Sequence, residues 1–253
     1  MKNDRITVAA ISLMAMCLVT FDHEALGHGG ACLLLGGHIR ILTSAIFRCD
    51  LRSIWIDPAG PFANLLIGAL LLLLVEVVPR RAAGMRLFLI LAASFSLFWE
   101  AGYLIDAMRG RHGDWYFAAQ DFLGEPTAWW RMSGVLAGIG LYVFTSRWAS
   151  GALSSLWPHA AVARNVARTA WTVATLGAVL AALAYSGDGL ADVRDAALEI
   201  GAGSWPLLLI PSSQGAVDAA PPAVFVQRNW IAIAAATAVY AIFVATLGRG
   251  LFF

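Results

Sequence analysis

Long apolar runs separated by short polar stretches set the pattern of this chain. Six of them, Ile6 to about Leu35, Ala59–Val78, Gly84 to about Ala107, Trp130–Ser146, Arg168–Tyr185 and Asn229–Leu247, approach the roughly 20 apolar residues a helix needs to cross a bilayer. Tryptophans gather near their ends (Trp55, Trp115, Trp129, Trp130, Trp148, Trp171 and Trp230), as in an interfacial aromatic belt. Between the first two runs the period changes. In "GGHIRILTSAIFRCDLRSIWIDP" Ile, Thr and Phe alternate with polar residues over strand-length pieces, and Pro58 closes the segment. That pattern predicts a short hairpin lying against the bundle, because non-helical backbone at membrane depth needs protein or a wet cavity around it. The expected fold is an all-α polytopic membrane protein, with about six transmembrane helices and a membrane-associated β-hairpin between the first two. The polar and aromatic stretch 109–127 reads as an interfacial helix. The loop 187–227 carries an apolar patch, "WPLLLIP", that suits a membrane surface.

Composition agrees with this reading. Of 253 residues, 60% are hydrophobic and 13% charged, and the mean hydropathy is +0.73. Soluble domains do not have such a make-up. A net charge of +1 argues against a nucleic-acid surface. "MKNDR" before an apolar run resembles a leader, but no small-x-small cleavage site follows, so the run is expected to stay as the first helix. Lys and Arg are nearly balanced between the two sides, and a cytoplasmic location of both termini is the orientation we expect. Three cysteines, Cys17, Cys32 and Cys49, with no CxxC pair, argue against a disulfide framework.

The chemistry is concentrated in "TFDHEALGHGGACLLLGG", where His23, Glu24 and His28 end the first apolar run. Ionisable residues inside a membrane are costly and mark functional sites with partners. A His-Glu-x-x-His helix would put both imidazoles on one face for a metal. Here five steps separate them, and on a regular α-helix such residues diverge by about 140°. Two arrangements remain open. A π-type turn would bring positions i and i+5 onto one face, and Gly27, Gly29 and Gly30 make distortion easy. Alternatively the working face is Glu24, His28 and Cys32, spaced i, i+4, i+8. The bulged pair is the arrangement we favour.

"HEALGHGGACLLLGG", then "DPAGPFANLLIGALLLLL", then "GYLIDAMRGRHGDWYFAA" resembles, in that order, the site-2 protease family of intramembrane zinc metalloproteases. The likeness covers about residues 15–122, so residues 1–122 read as a metal-binding membrane core. Residues 123–253 read as additional transmembrane helices of the same integral unit. The resemblance implies Zn2+ ligated by His23 and His28, Glu24 as the general base, and Asn64 in "AGPFAN" as a residue shaping the site. It departs from the family in the extra residue between the histidines, in the lack of an Asn-Pro…Leu-Asp-Gly segment for the third ligand, and in having no PDZ-like insertion.

For the third ligand we expect Asp114, which follows Gly113 in a turn free to fold back, with Trp115 as its interfacial anchor. Asp106 is the alternative. Glu100 and Asp106 lie six residues apart on one helix, so they point to opposite sides and at most one faces the site. Glu100 is a candidate to hydrogen-bond a ligand histidine from outside, and His38, at the hairpin start, is another supporting candidate. The implied activity is metal-assisted hydrolysis of peptide bonds in or near transmembrane segments of membrane proteins. The partners are then the lipid bilayer and a transmembrane protein substrate, and the location a bacterial cytoplasmic (inner) membrane. The alternative is a non-proteolytic relative acting as a scaffold or small-solute permease.

Overall fold

A computed structural model describes residues 3–125, 127–157, 159–187, 189–210 and 224–253. The chain opens with a 30-residue helical rod, Arg5–Leu34. Asp4 starts it, accepting the Thr7 backbone N–H at 2.9 Å, which satisfies one of the donors that every helix N-terminus leaves free. The rod is not uniform. Helix α1 (Arg5–Phe21) passes into a π-helical segment, Asp22–Gly29, and then into the short α2 (Gly30–Leu34). The looser winding expected between His23 and His28 is therefore present.

Gly36, at φ +85°, turns the chain out of α2. A hairpin of β1 (Ile39–Leu42) and β2 (Phe47–Cys49) follows, as the alternating pattern predicted. Helices α3 (Ile56–Val77), α4 (Ala83–Gly110), α5 (Asp114–Leu123), α6 (Ala128–Leu156) and α7 (Ala160–Ala182) come next. Helix α8 (Gly189–Ala196) continues as a π turn, Ala197–Ala202, and a 3-10 turn, Trp205–Leu209. Helix α9 (Trp230–Phe243) runs on through a π turn, Val244–Gly248, and the chain ends in β3 (Leu251–Phe252). Of the loop 187–227, residues 188 and 211–223 lie outside the described residues, including Pro211 of the "WPLLLIP" patch.

Four helices are long and apolar enough to cross a membrane: Arg5–Leu34, Ile56–Val77, Ala83–Gly110 and Trp230–Gly248. Six apolar spans were expected. Helices α6 and α7 occupy the other two positions and are long, but α7 carries Arg164, Asn165 and Arg168 in its first turns, which dilute its hydropathy. The core forms around α4, where Leu87, Leu91, Phe95, Phe98 and Trp99 are fully or almost fully buried. A helix apolar on every side belongs in the middle of a bundle. By contrast, α3 and α9 turn Leu66, Leu73, Val77, Ile231 and Ile242 outward. Helix α7 packs against α1, and its buried Ala163, Ala167, Ala170, Ala174 and Ala178, three or four residues apart, form a face of small side chains that allows close approach.

The sheet has the order β2-β1-β3, antiparallel throughout, with Ile41 opposite Phe252 and Leu42 opposite Leu251. A third strand from the far end of the chain was not expected. Nor was the disulfide between Cys32 and Cys49, with Cα atoms 6.0 Å apart. The odd cysteine count misled because Cys17 is buried inside α1, alone and unable to pair, which leaves an even set.

Candidate metal centre

The π turn carries the site. Within Asp22–Gly29 the residues Asp22, His23, Glu24 and His28 are all buried, and the two imidazoles lie 5.0 Å apart, edge to face. Each ring is fixed from behind. His23 stacks on Trp99 at 4.5 Å and 14°, and its Nδ1 lies 3.2 Å from Glu100 Oε1. His28 stacks on Phe47 of β2 at 5.5 Å and 17°, and its Nδ1 lies 2.8 Å from the Ile56 carbonyl. The Nε2 atoms face the Asp114 carboxylate and donate to it; in the tautomer with Nδ1 donating to Glu100 or the Ile56 carbonyl, each Nε2 would instead be the atom offered to a metal. Outer partners of this kind set the tautomer and orientation of ligand histidines.

Both Nε2 atoms converge on Asp114, the first residue of α5. Asp114 Oδ2 is 3.4 Å from His23 Nε2 and 3.1 Å from His28 Nε2. One ligand atom from each of these residues lies within 4.8 Å of the others, so the group can hold a metal ion. The donor set fits: two imidazoles and a carboxylate leave a fourth position open in a tetrahedral site. Gly113, at φ +78°, makes the turn that returns the chain to the bundle, and the Asp114 backbone N–H donates to Tyr103 Oη at 2.8 Å. Burial pushes the Asp114 carboxyl up, but the imidazole of His28 and hydrogen bonds from both histidines outweigh it and hold the group well below the usual carboxylate range.

Backbone approach makes the convergence possible. A Cβ on Gly27 would lie 2.5 Å from Gly60 Cα, so the π turn and the start of α3 touch backbone to backbone. A Cβ on Gly60 would lie 2.3 Å from His28 Nε2 and 2.8 Å from His23 Nε2, in the space where the ligand atoms meet. Pro58, in the first turn of α3, sits where proline is tolerated, and Pro61, directly after Gly60, lies inside the helix.

Glu100 is a supporting residue. It accepts from Asn64 Nδ2 at 2.9 Å and from Trp115 Nε1 at 3.0 Å while facing His23. The sequence placed Glu100 and Asn64 in such roles, and it placed Trp115 as an anchor of the turn. Asp106 and His38 go elsewhere. Asp106 is exposed and pairs with His112 at 3.5 Å, while His38 is exposed and pairs with Asp50 at 3.3 Å. The helical argument that Glu100 and Asp106 face opposite ways therefore resolves for Glu100. Cys32 is consumed by its disulfide, which removes the Glu24–His28–Cys32 stripe as a ligand set.

Glu24 lies in the same turn, 3% exposed, and among the described residues its Oε2 has no hydrogen-bond partner. An unpaired buried carboxylate oxygen costs free energy and calls for an explanation. Sequence reasoning missed Gly60, Phe47, Trp99 and Tyr103. For Gly60 a signal existed, since a glycine between two prolines at a helix start marks a close approach. The stacking aromatics carried none. Nearby, a cavity of about 230 Å³ bordered by Trp99, Tyr103, Tyr142 and Glu199 reaches the back of the ring that stacks on His23. Burial, and then the Glu24 carboxylate, push the Glu199 carboxyl well above its usual range. Comparison with protein-family models, curated proteins and solved structures returns no match for this chain.

Proposed function

We propose that the chain is an intramembrane metallopeptidase, a divergent relative of the site-2 protease family, hydrolysing peptide bonds in or near transmembrane segments of membrane proteins. One observation carries the proposal. His23, His28 and Asp114 converge on one point, with a carboxylate, Glu24, whose Oε2 is unpaired among the described residues, in the π turn that carries both histidines. Asp22 Oδ2 and Asn64 Oδ1 are also unpaired among the described residues, and Glu24 is the carboxylate that directly follows a proposed ligand.

The working steps follow from the residues. His23, His28 and Asp114 would hold the ion, with Glu100 and the Ile56 carbonyl fixing the two rings. A Zn2+ bound there supplies Lewis acidity and lets water ionise near neutral pH. Glu24 takes the proton from the attacking water and later passes it to the leaving amine. Gly60 leaves the room above the ligand atoms that a side chain would fill. In this reading α6 and α7 also cross the bilayer; because α9 starts beside Thr7 and the chain ends on β1, the two termini lie at opposite ends of the bundle, against the even span count and the shared cytoplasmic side expected from the sequence. The substrate is a transmembrane segment that unwinds locally at the hairpin. The membrane is a bacterial cytoplasmic membrane.

The test separates base from ligand. Glu24→Gln is expected to retain Zn2+ and lose cleavage of a membrane-anchored reporter, and wild-type cleavage should stop with a chelator and return with Zn2+. Metal-free protein that is indifferent to chelators would instead support the scaffold or permease reading.

A further inference from the structure

The disulfide sits within one helical turn of the proposed ligands. Cys32 is fully buried, four residues beyond His28 on the same rod, and its partner Cys49 closes β2. Strand β2 begins with Phe47, whose ring covers His28. The chain then runs from Cys49 to Ile56, whose carbonyl holds His28 Nδ1 at 2.8 Å. Both outer contacts of His28 therefore come from the segment that the Cys32–Cys49 bond ties to the rod. Packing closes tightly around the bond. A Cβ on Gly37 would lie 2.6 Å from Cys49 Sγ and 3.0 Å from Cys32 Sγ, so the turn out of α2 is folded directly onto the sulfurs.

The other ties between the hairpin and the rod are non-covalent: Phe47 stacks on His28, and Ile39 and Phe47 lie over Gly29. Within the hairpin, Asp50 accepts the His38 backbone N–H at 2.7 Å and pairs with the side chains of His38 and Arg40, all of them solvent-exposed contacts. Such pairs contribute little. On the opposite edge β3 holds β1, not β2. With the disulfide reduced, β2 keeps its ladder to β1 but loses its covalent tie to the helix that carries His28.

We propose that the Cys32–Cys49 disulfide is a redox-closed clamp on the metal group, and that the end of the bundle carrying the group faces an oxidising compartment. This rests on the metallopeptidase reading for its metal and not for its clamp. Disulfides persist where the surroundings are oxidising and are rare in the cytosol of most organisms. Arginines lie at both ends of the bundle and do not decide its orientation, whereas the disulfide lies at the site end alone. Substrates would then be segments presented from the extracytoplasmic side. Closure removes two protons and two electrons from the two thiols, passed by exchange to the disulfide of a protein oxidant, which leaves as a dithiol. Opening is the reverse exchange with a dithiol reductant.

The experiment uses the full chain in a Cys17→Ala background, so that only this pair can titrate. Intact cells are treated with a membrane-impermeant maleimide, with and without an impermeant phosphine reductant outside. Protection before reduction and labelling of two thiols after it are expected. Free thiols at the outset, or labelling only after the membrane is permeabilised, would overturn the sidedness. Purified protein is then compared in oxidised, reduced and re-oxidised states. Reduction is expected to weaken Zn2+ binding at least tenfold and to speed tryptic cleavage after the exposed Arg48 at least tenfold, both reversed by re-oxidation. Unchanged cleavage at Arg48 overturns the clamp, as does Zn2+ affinity that stays within twofold. If no state binds Zn2+, the metallopeptidase reading fails, and the Arg48 cleavage still decides the clamp.

Discussion

Gly60→Ala is a one-methyl test of where the two imidazoles sit. The added Cβ would fall 2.3 Å from His28 Nε2, 2.7 Å from His28 Cδ2 and 2.8 Å from His23 Nε2. Real Cβ contacts essentially never come below 3.0 Å, so the His28 ring must recede by 3.0 − 2.3 = 0.7 Å at least. It has nowhere easy to go, with Phe47 stacked on one face and the Ile56 carbonyl holding Nδ1. A ligand constellation tolerates misplacement of about 0.5 Å, so this shift exceeds what a metal site can absorb. Overpacking costs about 1–3 kcal/mol, while replacing glycine by alanine inside a helix returns about 0.5–1 kcal/mol. The net loss of folding stability should therefore lie between about 0 and 2.5 kcal/mol, and Zn2+ affinity of the folded variant should fall at least tenfold. Gly30→Ala is the control: nothing lies within 4 Å of its Cβ, and its backbone is ordinary helix at φ −59°. Zn2+ content and chelator-competition affinity of the detergent-solubilised variants, with a thermal melt of each, measure both quantities. Wild-type affinity in folded Gly60→Ala would refute the convergence of the two Nε2 atoms beneath this glycine.

Asp114→Asn should lose most bound Zn2+ while Asp106→Asn keeps it, because only the former carboxylate reaches the histidines; metal analysis of the two purified variants decides this. Glu100→Gln should weaken Zn2+ binding by about 10–100-fold, the usual effect of removing a partner from behind a ligand histidine, as read by competition with a chromophoric chelator. Deleting Ala25 from the π turn should leave a regular helix with four-step spacing and preserve metal binding. Loss of metal from a folded deletion variant would mean that the π geometry itself positions the rings.

The parts of this structure that local pattern encodes were legible. Five-step spacing with three glycines pointed to the π turn at Asp22–Gly29, and alternation with Pro58 pointed to the hairpin. Asp114 was suggested by Gly113, which lets the chain turn back towards the bundle, and the structure brings its carboxylate to the two histidines. Features created by distant chain segments left no local trace. The Gly27–Gly60 contact depends on how two helices cross, and the pairing of Cys32 with Cys49 depends on the hairpin folding back. Helix ends were also understated by hydropathy. The apolar window 168–185 starts eight residues after α7 begins at Ala160, because the first turns of that helix are polar and arginine-rich.

The pairing of β3 with β1 sets a timetable for synthesis. Leu251 and Phe252 close the edge of a strand made of residues 39–42, so one side of the hairpin stays open while some two hundred residues are still being translated and inserted. At about 5–20 residues per second that interval is on the order of 10–40 seconds. During it, the nascent chain has its histidine turn and hairpin but not the strand that seals the sheet. An open strand edge is a template for wrong pairing, so the chain stays exposed to it through this whole interval and is released when β3 pairs with β1.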